Sequence, residues 1–275
     1  MEIVVPLDHS TLAERAVGIA HGISCATGAT IRLVTVVDEA DAESALGYLR
    51  SVAATHLRGL GAAIEVLPSR AGVTVAERIL AAVEESSESP AVLCMSSHGR
   101  SGFGVAVLGG TAEEVLRSSA HPVVVIGRRC DLPWPGNRRA IVLPVDGSPR
   151  WREIVPVVQG IIRWTYLEPV LVEVSHTYDT AEPEPPAALD AARCELAGCG
   201  LDAKAVHRFG SNIPVTICEA ARDWGAAIMA MSVDVGPRPS STLLGTVTAR
   251  AIRDAPCPVV VSARNGVVGG AGEVW

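Results

Sequence analysis

The sequence predicts an α/β protein made of two tandem doubly wound domains, each a parallel sheet covered by helices on both faces. Two observations carry this. Short apolar runs alternate with stretches of helical periodicity, and uniformly apolar strands belong inside parallel sheets rather than on half-wetted ones. The pattern also occurs twice. Ile3-Val-Val-Pro-Leu-Asp8 returns as Ile141-Val-Leu-Pro-Val-Asp146, Leu108-Gly109 as Leu244-Gly245, and His121-Pro-Val-Val-Val125 as Cys257-Pro-Val-Val-Val261. The three offsets are 138, 136 and 136 residues in a chain of 275. That length suits two domains of about 150 residues.

Taken in order, Ile3–Leu7 reads as a buried strand. Thr11-Leu-Ala-Glu14 fits a capping box, opening a helix with apolar Leu12, Ala16, Ile19 and Ala20. A strand at Thr30–Val37, a helix within 41–60, a strand at Ala63–Leu67 and a helix at 73–85 follow. Residues 91–127 then read as strand, glycine-rich loop, helix and strand. The loop follows Ser96-Ser-His98 and holds Gly99, Gly102, Gly104, Gly109 and Gly110. Thr111-Ala-Glu-Glu114 fits a second capping box, and Val123–Ile126 closes the first domain, residues 1–127.

Residues 128–139, rich in proline, glycine and arginine, read as a linker with the character of a solvated hinge. The second domain, 140–264, is less regular. Ser148-Pro149 is a helix start, and Pro156 is expected to kink or shorten that helix. Strand Val170–Val174, a proline-rich loop at 181–186, and a helix ending near 198–200 come next. Strand Leu201–Val206, helix Val215–Asp223, strand Ala226–Met231, helix Thr246–Arg253 and strand Val259–Ser262 complete it. The glycine-rich tail, 265–275, is expected to fray.

Composition narrows the function classes. The formal charge of −7 and pI near 5.5 argue against nucleic acid, which favours basic surfaces. Mean hydropathy is +0.31, yet no apolar run approaches the roughly 20 residues of a membrane helix. The start lacks a basic region before its first strand, so a cytoplasmic protein without a signal peptide is expected. The seven scattered cysteines form no C-x-x-C and read as reduced, mostly buried thiols. The histidines show no metal-ligand spacing, so no metal is expected.

The candidate chemistry lies in the glycine loop. Glycines let backbone approach a ligand closely, and the helix behind them turns free N–H groups toward the same place. That is an anion site, most naturally for phosphate. The common motifs fail, however. No lysine follows Gly109-Gly110, and Val107 stands where a G-x-G-x-x-G would need its third glycine. Gly99-Arg-Ser-Gly102 followed by Phe103 is not a nucleophile elbow.

What the segment resembles is the nucleotide loop of the universal stress protein family, G-x2-G-x9-G-[ST]. Ser97-His98-Gly99-Arg100-Ser101-Gly102 matches its opening, and nine residues separate Gly99 from Gly109. Ser96 replaces the first glycine of the usual pattern, and Gly110 replaces the Ser/Thr, with Thr111 one place later. The resemblance covers Ile3 to Ala263. It implies a Rossmann-like, five-stranded parallel sheet per domain, pairing of domains through the last strand within the chain, and a homodimer. It also implies bound ATP, with or without Mg²⁺. By position, Pro6, Leu7 and Asp8 would hold the adenosine end, and Val36 would meet adenine through its backbone. Met95, Ser96, Gly99, Arg100, Gly102, Gly109, Gly110 and Thr111 would line ribose and phosphates. The second-copy candidates are Asp146, Val174, Gly245 and Thr246.

From the residues alone, Asp8 is equally a ligand contact or a helix cap, and His98 equally a phosphate contact or a turn residue. Val235 stands where the first copy has Gly99, so the second loop is degenerate. The expected function is a non-enzymatic adenine-nucleotide-binding stress-response protein using the first domain. The alternatives are a tandem interaction module that has lost nucleotide binding and a slow nucleotide phosphohydrolase. The chain has no S-G-G-x-D-S loop or H-x-G-H pair for the latter.

Overall fold

The structure, a computed structural model, describes residues 1–85, 91–98, 108–131, 134–176, 187–233 and 245–262. The first half contains β1 (Glu2–Pro6), α1 (Thr11–Thr27), β2 (Thr30–Val37), α2 (Ala42–His56), β3 (Ala62–Pro68), α3 (Val75–Glu85), β4 (Ala91–Ser96), α4 (Gly110–Ser118) and β5 (Val123–Ile126). The second contains β6 (Ala140–Val145), α5 (Val155–Thr165), β7 (Glu168–Ser175), α6 (Ala187–Gly198), β8 (Lys204–Phe209), α7 (Ile213–Asp223), β9 (Ala226–Ser232), α8 (Thr246–Asp254) and β10 (Val259–Ser262).

All ten strands form one sheet in the order β3-β2-β1-β4-β5-β10-β9-β6-β7-β8. Neighbours run parallel within each half. The halves join where β5 and β10 pair antiparallel, with Val125 opposite Val259 and Val123 opposite Val261. The expected pairing of domains through their last strands therefore occurs within the chain. Strands this apolar are stable only when both faces are covered. One core layer packs Ile3, Leu33, Ile141 and Leu171 against α1, α2, α5 and α6. The other packs Val4, Leu93, Val142 and Val259 against α3, α4, α7 and α8. Each such fully buried side chain contributes about 1.5–3 kcal/mol.

The linker is not a solvated hinge. Trp134 is only 8% exposed, and its indole N–H donates to the Ala227 carbonyl at 2.5 Å. Its ring lies so close to α1 that a Cβ on Gly22 would stand 2.7 Å away. Asp131 N–H donates to Pro256 O at 2.9 Å, while the Arg15 guanidinium donates to the carbonyls of Arg128 (3.0 Å) and Cys130. One large aromatic in this polar segment, Trp134, fastens it to both halves by its burial.

Helix starts also differ from expectation. Ser10, not Thr11, caps α1, accepting from Ala13 N–H at 3.1 Å. Gly109 occupies the cap of α4, which leaves Thr111 inside the first turn. A capping box does occur at α3: Glu77 N–H donates to Thr74 Oγ1 (3.1 Å) and Thr74 N–H to Glu77 Oε2 (2.7 Å). Residues 149–154 form a 3₁₀ helix, so Pro156 falls in the first turn of α5, where no N–H is needed. Strand β8 starts at Lys204 rather than Leu201. Leu201 and Ala203 are buried but lie outside its hydrogen-bonded ladder.

The cysteines are all free; Cys94, Cys130, Cys218 and Cys257 are buried, and Cys25, Cys194 and Cys199 exposed. Burial pushes the Cys130 and Cys218 thiols up to about 11, the behaviour of inert structural thiols. The proline-rich loop at 181–186 and the tail at 265–275 lie outside the described residues. Among the described residues, no helix is long and apolar enough to cross a membrane. Nor is any group of three or more His, Cys, Asp or Glu among them placed to hold a metal ion.

Candidate functional site

The strand order within each half reverses direction at one point. In the first half it lies between β1 and β4, in the second between β6 and β9. Connections leave the carboxyl ends of these strands toward opposite faces, opening a crevice where ligands of open α/β sheets bind. Both crevices are cavities here.

The first has a volume of about 280 Å³. Pro6, Leu7 and Asp8 enter it from the end of β1, Val36 from β2, Met95 and Ser96 from β4, and Gly109, Gly110 and Thr111 from the start of α4. Those nine sequence candidates line one space. Gly99, Arg100 and Gly102 lie outside the described residues. Ala13, Val34, Thr35, Val75, Ile79, His98 and Ala112 also line the cavity and were not singled out as ligand contacts, His98 excepted as an even choice. Val34 and Val75/Ile79 had a readable signal: alternation with Val36 on β2, and an i, i+4 pair on α3.

Local chemistry holds this geometry. Asp8 is not itself the cap of α1. Its Oδ1 accepts from Ser10 N–H (3.1 Å) and Ser10 Oγ (2.6 Å), so it orients the residue that caps. Between them His9 adopts φ +66° and stacks on Tyr48, ring centroids 3.9 Å apart. Burial and the Glu14 carboxylate push the Tyr48 phenol up, and its hydroxyl donates to Glu14 at 3.1 Å. At the other wall, Ser96 Oγ donates to His98 O at 2.5 Å, and Ser97 Oγ lies 3.0 Å from His98 Nδ1. Gly109 N–H donates to Ser97 O (2.8 Å), fixing where α4 begins. Among the described residues no side chain caps α4, and its first N–H groups, at the cavity wall, have no intrahelical acceptor. Thr111, one place after the usual Ser/Thr position, lines the cavity too.

The second cavity is larger, about 430 Å³, and Asp146, Val174, Gly245 and Thr246 all line it. Ser148 N–H donates to Asp146 Oδ1 at 3.0 Å, the same turn as at Asp8. Ser148, Arg150, Trp151, Ser232 and Thr248 line it too, and sequence reasoning did not single them out as ligand contacts. Arg150 and Trp151 stand where the first half has Leu12 and Ala13. That substitution was visible in the repeat.

Fold and cavities together define the class: two doubly wound α/β units fused through their last strands, each with a cleft at its switch point. A profile of the universal stress protein family matches residues 1–127 and 163–263, and the chain belongs to that family. Among solved structures, a universal stress protein from Archaeoglobus fulgidus DSM 4304 is 20% identical, with 96% of each chain covered and a TM-score of 0.73. A functionally unknown protein from Pseudomonas aeruginosa PAO1 is 16% identical, with 96% of this chain and 92% of that chain covered and a TM-score of 0.67. A universal stress protein in complex with cAMP is 20% identical over 46% of this chain and 96% of its own, with a TM-score of 0.38. No curated protein sequence matches significantly.

Proposed function

We propose that this chain is a non-enzymatic, cytoplasmic stress-response protein that holds an adenine nucleotide, ATP with or without Mg²⁺, in its first cavity. One observation carries the reading. Nine residues named from sequence for such a ligand converge on one cavity, at the strand ends where α/β folds bind ligands. The bare N-terminus of α4 suits phosphate, and apolar Val34, Val36 and Ile79 suit a base. Asp8 offers a carboxylate to ribose hydroxyls. Ser96 and Asp8 Oδ1 are already engaged within the protein, which favours holding a ligand over transforming it.

The test is isothermal titration with ATP and Mg²⁺, after unfolding a sample to identify any co-purified nucleotide. A Cβ on Gly110 would meet no atom within 4 Å, so Gly110→Val keeps the fold while filling ligand space. Saturable binding that this variant abolishes is the expected result. No heat with no co-purified nucleotide, or binding indifferent to Gly110→Val, would overturn the reading and leave an interaction module. Steady phosphate release above a protein-free blank would make it an enzyme.

A further inference from the structure

We infer that the second half carries a peripheral docking face for an anionic membrane surface, at the amino ends of β9, β6 and β7. Both cavities open at the other end of the strands, and the inference does not depend on the nucleotide reading.

Backbone hydrogen bonds place the parts of this face side by side. Arg139 N–H donates to Gly225 O at 3.2 Å, and Glu168 N–H to Arg139 O at 2.8 Å, which joins the three strand starts. Helix α7 ends at this edge with Arg222 in its last turn, and α5 ends there with Arg163 and Trp164. Tyr166 follows as the closing residue of α5.

The first half shows what is unusual here. At the repeat offset of 138 residues, Arg139, Arg163, Trp164, Tyr166 and Arg222 stand in place of Met1, Cys25, Ala26, Gly28 and Glu84. Every exchange adds a cation or an aromatic ring, and all five residues are exposed. Gly28 and Tyr166 close their helices in the same left-handed conformation, φ +72° and +56°. Glycine adopts it without steric cost, whereas a bulky side chain is strained there. The Tyr166 residue is 87% exposed, so burial within the chain does not offset that strain. Strain held by an exposed ring points to a role outside the fold.

Charge identifies the kind of partner. The chain carries −7 overall, yet this end is basic. Glu168 is taken up by Lys204 at 2.6 Å and Asp223 by Arg208 at 3.1 Å. Among the described residues, no carboxylate forms an ion pair with Arg139, Arg163 or Arg222. Asp202, beside the start of β8, and Glu219, a turn up α7, are the acids left to oppose them. The partner is therefore anionic, and the negative remainder of the chain turns this end toward it.

The rings decide its class. Trp and Tyr combine an apolar body with a polar tip, which suits the boundary between lipid tails and headgroups. Trp164 and Tyr166 line neither cavity and project from a helix end and its closing turn. A fluid headgroup layer conforms to such projections, while the arginines reach its phosphates. The contact is peripheral, since no helix among the described residues is long and apolar enough to span.

The experiment floats the full chain with phosphatidylcholine vesicles and with mixed phosphatidylcholine–phosphatidylserine vesicles. Binding to the mixed vesicles alone, weakening as salt rises, is expected. Arg163→Gln should weaken it about fivefold, and Arg139→Gln with Arg163→Gln about 25-fold. Tyr166→Gly should also weaken binding while leaving the urea midpoint equal or higher, which separates docking from folding. No binding to mixed vesicles, equal binding to neutral ones, or indifference to Arg163→Gln would overturn the proposal. A lower urea midpoint in Tyr166→Gly would overturn it too, by giving the ring a role inside the fold. Binding to polyglutamate or to an oligonucleotide without binding to vesicles would assign the face to an acidic protein or to nucleic acid instead. A dimer that Tyr166→Gly dissolves would assign it to a second copy of the chain, with the same consequence.

Discussion

The same turn is built twice, at Asp8-His9-Ser10 and Asp146-Gly147-Ser148, and the copies reach it by different means. Both centre on a left-handed residue, φ +66° at His9 and +76° at Gly147. Both bring the third residue's N–H to the aspartate Oδ1, at 3.1 and 3.0 Å. Glycine takes that conformation freely; histidine does so only when its surroundings over-determine it. The stack on Tyr48, itself tied to Glu14, supplies that restraint in the first half. The backbone frame and its carboxylate are thus shared, while the surrounding chemistry has diverged: Leu12 to Arg150, Ala13 to Trp151, Thr35 to Glu173. The frame of the cleft is kept more strictly between the two copies than the side chains around it.

The comparison assumes two halves locked in one body, and the largest effect should come from unlocking them. Trp134→Ala would empty a core position that touches α1 on one side and β9 on the other. The expected loss is about 3–5 kcal/mol, read as a lower urea midpoint in one transition. Two separated transitions, or a loss well under about 1 kcal/mol, would show that the halves fold independently.

A smaller effect should separate the two turns. At Gly147 a Cβ would meet only the Ala188 Cβ, at an ordinary 3.7 Å, so the cost of Gly147→Ala is that of the backbone alone. It should destabilise by about 1–2 kcal/mol. His9→Gly should change stability by less than about 0.5 kcal/mol, because relief of the left-handed strain offsets the lost stack. Chemical denaturation of both variants decides this. Equal losses would mean that the stack of His9 on Tyr48 contributes well beyond what its left-handed strain costs.

How much of this was legible beforehand follows from which interactions are local. Strands Thr30–Val37, Val123–Ile126 and Val259–Ser262 were read to the residue, because runs rich in β-branched residues state a strand without help from the rest of the chain. The nine first-cavity residues came from the family resemblance, and they share one cavity because each ends a strand, follows one or opens a helix on the same sheet edge. The cap of α1 was missed by one residue: Ser10 and Thr11 both carry hydroxyls, and only the extended backbone at Ser10 decides between them. Trp134 reads as a packing residue by its type, but that it docks the linker on both halves was not legible, because the contact depends on two elements far apart in sequence. The charge and hydroxyls of the second cavity were in plain view, but a family pattern written for nucleotides draws the eye to Asp146, Val174, Gly245 and Thr246 and past Arg150.

The smallest effect is also the one that isolates a single exchange, Thr35 to Glu173. Burial raises the Glu173 carboxyl above its ordinary range, a rise His207 opposes and Asp146 reinforces, and its Oε2 has no hydrogen-bond partner. A carboxyl whose folded pKa is raised binds protons more tightly folded than unfolded. Stability is therefore greatest below the unfolded value and declines as pH rises toward the folded one. Glu173→Gln removes the charge and keeps the shape. It should be modestly more stable than the parent at neutral pH, with the advantage vanishing in acid below the ordinary glutamate range. Thermal melts of both proteins across that span read the difference directly. A constant gap at every pH would assign the gain to packing, and no gap at neutral pH would mean that solvent already satisfies the carboxylate. Thr35, uncharged at the same position, should show no such pH-dependent gap when changed to Val. The contrast between the two exchanges would then measure what the second half gives up to carry a carboxylate beside a cleft already lined by Asp146.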